Sequence, residues 1–350
     1  MVKKLISVDT KKLPWEQETP VHNRWHPDIP AVATATEGEV FRVECIDWTG
    51  GQIKNDDSSD DVKNVDLSQV HYLSGPIDIP TAQPGDLLKV EILNLGPLEG
   101  DEWGFTGSFG MYTLTRHVDH HYMHLLTQCM DDVFWFACIQ TTAKENGGGF
   151  LTDHYPCASK AIWDIEGIYT SSRHIPGVRF AGLIHPGLIG TAPSAELLKI
   201  WNDRESALCA EEGTPQEKTL CGCLATRPLA CLPEPKGAML GTLGHFKAKL
   251  GKDETWDKIA KEAARTVPGR ENGGNCDIKN LTRGCAVYFP VFVPGAKLSM
   301  GDMHFSQGDG EVSFCGAIEM VRDFTQTYFH LYPYNFINDL TCFICILSLL

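Results

Sequence analysis

The residues best equipped for chemistry crowd into one stretch, 297-KLSMGDMHFSQGDGEVSFCGAIE-319. Read as a strand up to Ser306, a period of two puts Asp302, His304 and Ser306 on one face. Gln307-Gly308-Asp309-Gly310 is a turn signal. A loop of even length returns Glu311 and Ser313 to that face, and an odd one turns them away, because register parity decides the face. An Asp, a His and a Glu converging in this way suit a divalent metal with an open coordination position, which activates water for hydrolysis. The plainer alternative is an edge hairpin with solvated acids and a locally bonded histidine.

Other polar clusters offer partners. In 269-GRENGGNCDIKN-280, Gly273 and Gly274 allow close backbone approach or positive φ. Asn275 and Asp277 flank Cys276 at strand spacing, so both can face one site; a glycine-rich loop with Asx turns is the competing reading. In 185-HPGLIGTAPS-194, His185 precedes a Pro-Gly turn and a helix start, where an anion or oxyanion could be held, or where a capped turn is all there is. The run 47-DWTGGQIKNDDSSDD-61 reads as a solvated acidic loop, with Asp56 and Asp57 as candidates for a hard cation. The segment 110–142 carries His117, His120, His121 and His124, which would pair at i,i+4 on a helix, yet no acid accompanies them in a defined motif. Three glycines in 144-KENGGGFLTDHYP-156 lack the lysine of a phosphate loop. There is no G-x-S-x-G elbow, and none of the thirteen cysteines sits in a motif that activates a thiolate.

These side chains must be carried by strands. The stretches 34–47, 84–97 and 287–305 each set a glycine turn before alternating apolar residues, such as Leu88, Val90 and Ile92. Two helices are expected: 195–208 capped by Ser194, and 254–267 capped by Asp253. The segment 209–236 reads as an irregular connection. The fold expected is α+β, mainly β: a β-sandwich or jelly roll with a smaller α/β portion. With 43% hydrophobic residues and 350 positions, the chain can bury a full core. A net charge of −15 argues against nucleic acid or an anionic membrane as partner. No signal peptide or membrane-spanning run is legible, and the scattered cysteines read as thiols, so a cytoplasmic protein is expected.

Several long stretches resemble the acetamidase/formamidase family. They are HNRWHPDIP (22–30), DWTGGQIKNDDSSDDVKNVDLSQVHYLSGPI (47–77), PGDLLKVEILNLGP (84–97), ENGGGFLTDHYPCASKAIW (145–163), EGIYTSSRHIPGVRFAGLIHPGLIGTAPS (166–194), EAARTVPGRENGGNCDIKNLTRG (262–284) and SMGDMHFSQGDGEVSFCGAIEM (299–320). The GGQIKNDD and ENGGGFLTDH stretches are more similar to formamidases. The resemblance implies hydrolysis of a small linear amide, formamide first, by a cytosolic homo-oligomer. It places the family's recurring polar residues at Asn275, Asp277, Asp302, His304, Asp309 and Glu311. The mechanism expected is metal-assisted. Asp302, His304 and Asp277 would hold a divalent ion, zinc first and calcium second, while Glu311, Asp309, Glu319 and His185 handle protons and Gly273, Gly274 and Asn275 bind substrate. The rivals are a cupin-like metal oxidoreductase and an inactive chain that only assembles with intact subunits.

The family pattern covers 1–109 and 143–321. The segment 110–142 interrupts GFTGSF and KENGGGFLTDH, which run together in the family, and 322–350 replaces the family's continuation past CGAIEM. Both segments read as translated non-coding sequence, and they imply an incompletely packed, poorly soluble or inactive chain. Transcript reads that join codon 109 directly to codon 143 are the expected result. A dominant message carrying the intervening codons would sink this reading.

Overall fold

The computed structural model describes residues 2–108, 158–210, 233–251, 254–308, 311 and 315–320, together with the backbone of 322–333. Alternation decides most of its strands. Asp86–Ile92 buries Leu88, Val90 and Ile92 completely and leaves Leu87, Lys89 and Glu91 half-buried. Phe41–Cys45 does the same with Phe41, Val43 and Cys45. Each fully buried apolar side chain of this size contributes on the order of 1.5–3 kcal/mol.

Two sheets result. The first has the order Lys3–Ile6, Phe41–Cys45, Arg322–Pro333, Asp86–Ile92, Ala286–Pro290. The backbone of Arg322–Pro333, from the tail read as lying outside the family pattern, is thus an interior strand of this sheet. The second sheet runs Arg179–Ala181, Tyr169–Ser172, Ser159–Glu166, Trp103–Ser108, Ile318–Met320, Leu298–Ser306, His185–Gly190, Gly273–Asn275, Gly269–Arg270, with Leu73–Asp78 also paired to Leu298–Ser306. One core joins Phe41, Val43 and Val90 of the first sheet to Ile189, Met300, Met303 and Phe305 of the second. The arrangement is the expected sandwich. The Pro-Gly-Ala turn at 294–296 links the two sheets. It carries the chain from Ala286–Pro290 in one sheet to Leu298–Ser306 in the other.

Helices close one side. Ala195–Ala210 starts where expected, with Ser194 Oγ accepting the Leu197 N–H at 3.1 Å. Its Leu198 and Trp201 bury against Trp25 and Leu188. The second expected helix is shorter, Thr255–Glu262, because Ala263 turns extended and Ala264–Arg265 pairs with Arg24–Trp25. Asp253, its expected cap, lies outside the described residues. The helix Leu243–Leu250 was not anticipated; it packs Phe246 against Trp256.

Charged residues fasten these parts. The acidic run 55–61 is a fastening rather than a cation site. The Lys160 ammonium, 1% exposed, donates to Asp56 at 2.9 Å, Asp61 at 2.7 Å and the Lys54 carbonyl at 2.9 Å. Arg173 and His174 take Asp57. On the helical side, buried Glu205 receives Arg270 Nη2 at 2.6 Å and lies 3.3 Å from Arg265 Nε, tying the Ala195–Ala210 helix to two strands. Removing Glu205 strands two buried guanidiniums, a loss of about 3–5 kcal/mol. Glu205→Ala should therefore lower the urea midpoint with the slope unchanged. An unaltered midpoint would refute this role.

Candidate active site

The second sheet builds the site around one imidazole. Leu298–Ser306 lies between His185–Gly190 and Ile318–Met320, and residues 298–305 are all buried. The registers set His185 opposite His304 on one side and Glu319 opposite His304 on the other. Three polar side chains therefore stand in a row within an otherwise apolar layer.

Hydrogen bonds fix the tautomers along that row. His185 Nδ1 lies 2.6 Å from the Leu183 carbonyl, which only accepts, so Nδ1 carries the proton. His185 Nε2 then accepts from His304 Nδ1–H at 3.2 Å. His304 is left to present Nε2 to the acids. That atom is 3.5 Å from Asp302 Oδ1, 3.5 Å from Glu311 Oε1 and 3.3 Å from Glu319 Oε2. These separations exceed an ordinary hydrogen bond and match ligand atoms spaced about a common centre. Donor atoms of Asp302, His304 and Glu319, and separately of Asp277, His304 and Glu311, lie within 4.8 Å of one another. Asp277 Oδ1, His304 Nε2 and Glu319 Oε2 are buried without a hydrogen-bond partner.

Electrostatics reflect the crowding of four acids about one ring. Burial and the negative charge of Asp302 raise Asp277 to about 6. Burial raises Glu319 to about 7 against the pull of His304. Glu311 goes furthest, to about 11, through burial and its acidic neighbours Asp277 and Asp302. Burial would also raise Asp302, but the charges of His304 and His71 outweigh it and the net shift is down. Burial disfavours a charged His304, yet Glu319 and Asp302 overcome it and hold its pKa well above the ordinary value. Asp277 and Glu311 hydrogen-bond to each other, so one proton lies between them.

Backbone strain and missing side chains make room for this. Asp277, Asp302 and Glu311 have φ of 46°, 52° and 42°, a region that non-glycine residues rarely enter. An added Cβ at Gly187 would stand 2.5 Å from Asp302 Oδ2 and 2.8 Å from His304 Cε1. At Gly316 it would stand 2.7 Å from His304 Cδ2, so the two glycines clasp opposite edges of the ring. The Gly316 N–H also donates to Glu319 Oε1 at 2.6 Å, aiming the carboxylate.

Six of the residues singled out from sequence are brought together: His185, Asp277, Asp302, His304, Glu311 and Glu319. The tight hairpin expected after Ser306 does not form. The strand that returns beside Leu298–Ser306 is Ile318–Met320, and Glu311 reaches the site from the excursion between them. Asp309 lies outside the described residues. Gly273 and Gly274 are not directed at the acids. Their strand is paired on both edges, and added Cβ atoms would meet Ile189 and Phe289, or face Asn272 and Trp25. Asn275 Nδ2 donates to the Val267 carbonyl at 2.9 Å.

Sequence reasoning missed Gly187, Gly316 and His71. His71 is buried beside Asp302, which pulls its pKa up although burial leaves the net shift downward. Its ring packs on Trp48 at 5.8 Å, and Trp48 belongs to an apolar cluster with Val70, Phe105 and Cys315. Phe105 pairs with Glu319, so this cluster abuts the acids. A lone histidine in VHYL carries no spacing signal; only the Asp302 neighbourhood reveals it.

A model of the acetamidase/formamidase family matches residues 7–137 and 128–331. The chain is 51% identical over 319 residues to a formamidase of Methylophilus methylotrophus, covering 91% of this chain and 66% of that protein. It is 48% identical over 323 residues to an acetamidase of Mycolicibacterium smegmatis, covering 90% of this chain and 67% of that protein. It thus spans about two thirds of the length of these curated relatives. Among solved structures, a gamma lactamase from Delftia acidovorans superposes with a TM-score of 0.74 at 45% identity, over 96% of this chain and 70% of that one. An acetamidase from Bacillus halodurans shares the fold with a TM-score of 0.54 at 18% identity, over 94% of this chain and 70% of that one. With its buried His–carboxylate cluster on a two-sheet sandwich, the chain belongs to the acetamidase/formamidase family.

Proposed function

We propose that this protein hydrolyses small linear amides, formamide first, to the carboxylic acid and ammonia, with a divalent cation held at His304. The observation that carries the cation is the convergence of unpartnered buried Nε2 and carboxylate oxygens on one point. Four acids cannot all ionise in a buried site unless positive charge joins them. The relatives named for formamide and acetamide support the substrate class.

Asp302, His304 and Glu319 are all buried and would hold the ion; Asp277 and Glu311 form the less buried group. This exchanges the roles expected for Asp277 and Glu319. A nitrogen ligand favours zinc over calcium, which takes oxygens. When bound, the ion supplies Lewis acidity toward water and the amide carbonyl. The chain's own residues do the rest. Glu319 is aimed by the Gly316 N–H, and His304 is turned by His185. The Asp277–Glu311 pair, which already shares a proton, takes one from the attacking water and returns it to the departing nitrogen. The apolar wall of Trp48, Phe105 and Cys315 favours a substrate with little beyond its amide group.

The protein is further read as a cytoplasmic homo-oligomer: the free thiols Cys45, Cys276, Cys285 and Cys315 fit a reducing compartment, and assembly is carried over from the family resemblance. A sizing column should show a mass well above the 38.7 kDa of one chain; elution as a monomer refutes assembly. The central experiment is ammonia release from formamide, acetamide and urea, with metal analysis of the same sample. Formamide should turn over without oxygen consumption. His304→Ala should lose both activity and metal, and Glu311→Gln should keep the metal while losing about 10²–10⁴-fold in rate. Full activity after metal stripping would end the metal-assisted version, and no ammonia from any amide would end the reading itself.

A further inference from the structure

The groups that converge at His304 are nearly all acceptors, whereas an amide needs a donor at its carbonyl oxygen. Backbone N–H groups beside the acids have partners: those of Cys276 and Asp277 both point to the Gly187 carbonyl, and that of Gly316 to Glu319. His71 supplies what is missing. Pairing of Leu73 with Gly301 carries His71 alongside Asp302 and Met303. Its backbone N–H donates to Thr266 Oγ1 at 2.9 Å, and the same oxygen lies 3.1 Å from its ring Nδ1. The hydroxyl accepts the first and, in the arrangement argued for here, gives its own proton to Nδ1, which leaves the ring's proton on Nε2. Among the described residues, Nε2 has no hydrogen-bond partner, although His71 is only 7% exposed and Asp302 acts on its ring. His71 belongs to neither group of converging ligand atoms, which sets it apart from a metal ligand. Trp48 packs against the ring at 5.8 Å between centroids, tilted by 56°.

Resting on the amide-hydrolase reading, we propose that His71 is a catalytic residue whose Nε2–H donates a hydrogen bond to the carbonyl oxygen of the bound amide. Thr266 is its positioning residue, since its hydroxyl selects the tautomer. The donor strengthens its bond as negative charge grows on that oxygen during attack, so it acts mainly on the rate rather than on substrate binding.

The test uses the full-length protein with formamide. His71→Ala should lower kcat/KM by about 10²–10³-fold, chiefly through kcat, with the metal content unchanged. His71→Gln, which keeps an N–H donor, should recover part of the loss. Thr266→Val should lose less than His71→Ala, and Thr266→Ser should behave as wild type. Activity of His71→Ala within about threefold of wild type overturns the assignment alone. Loss of metal in step with activity overturns it too, by making His71 a ligand. If His71→Ala does not fold, Thr266→Val carries the test, and an unchanged kcat there overturns the assignment. A wild type inactive on every small amide overturns the amide reading and this inference together, and so is told apart from the other outcomes.

Discussion

The structure depends on putting one imidazole and four carboxyl groups in the interior of a β-sandwich. Taking a single carboxylate out of water is costly enough that unpaired buried acids bind a proton instead. Here burial is the largest force pushing Asp277, Glu319 and Glu311 upward. A core that tolerates such a cluster must be rigid, because the atoms cannot relax toward water or toward separate partners. The sandwich provides this rigidity. Leu298–Ser306 is paired by three neighbouring strands, and Met300, Met303 and Phe305 lock it into the apolar core that joins the two sheets.

Position is then obtained against local preference. Three of the acids sit at left-handed φ, and each such residue stores on the order of 1–3 kcal/mol that the surrounding sheet must outweigh. Gly187 and Gly316 work in the opposite sense, removing atoms so that His304 fits between them. Strain at the acids and emptiness at the glycines are two halves of one arrangement. Neither makes sense for a structural core residue, for which unstrained backbone and a filling side chain would be better.

How much of this can be read in the sequence follows from what sets each position. Asp302 and His304 are legible because strand alternation is local and survives in the fold. Ser194 and the first helix are legible for the same reason, as capping is a matter of a few adjacent residues. Glu311 is legible as a residue but not as a position, since the turn signal at 307–310 promised a tight hairpin and the returning strand begins only at Ile318. Gly273 and Gly274 misled because positive φ is shared by ligand loops and by crowded strands. At Gly273 the second use applies, with Ile189 and Phe289 where a Cβ would stand, while Gly274 makes only ordinary contacts with Asn272 and Trp25. His71 was silent for a different reason: its partners, Thr266 and Asp302, are remote in sequence, and no local spacing encodes them.

The relay that starts at the Leu183 carbonyl explains why the cluster has only one way to present its ring. A carbonyl cannot donate, so the protons on His185 and His304 Nδ1 are determined in turn, and the sole variable left is what meets His304 Nε2. If a proton meets it, the ring becomes a cation and satisfies Glu319 and Asp302 as ion pairs. If a divalent ion meets it, the same carboxylates become ligands and the proton must leave. On the proposed metal reading, proton and metal would compete for one lone pair and each would neutralise the same negative charge. A structural ion pair would need only the first arrangement, and an arginine would serve it better, with its fork matched to carboxylates. A histidine instead commits one nitrogen to a backbone-anchored relay and leaves the other open among the acids, which is the arrangement the proposed cation requires.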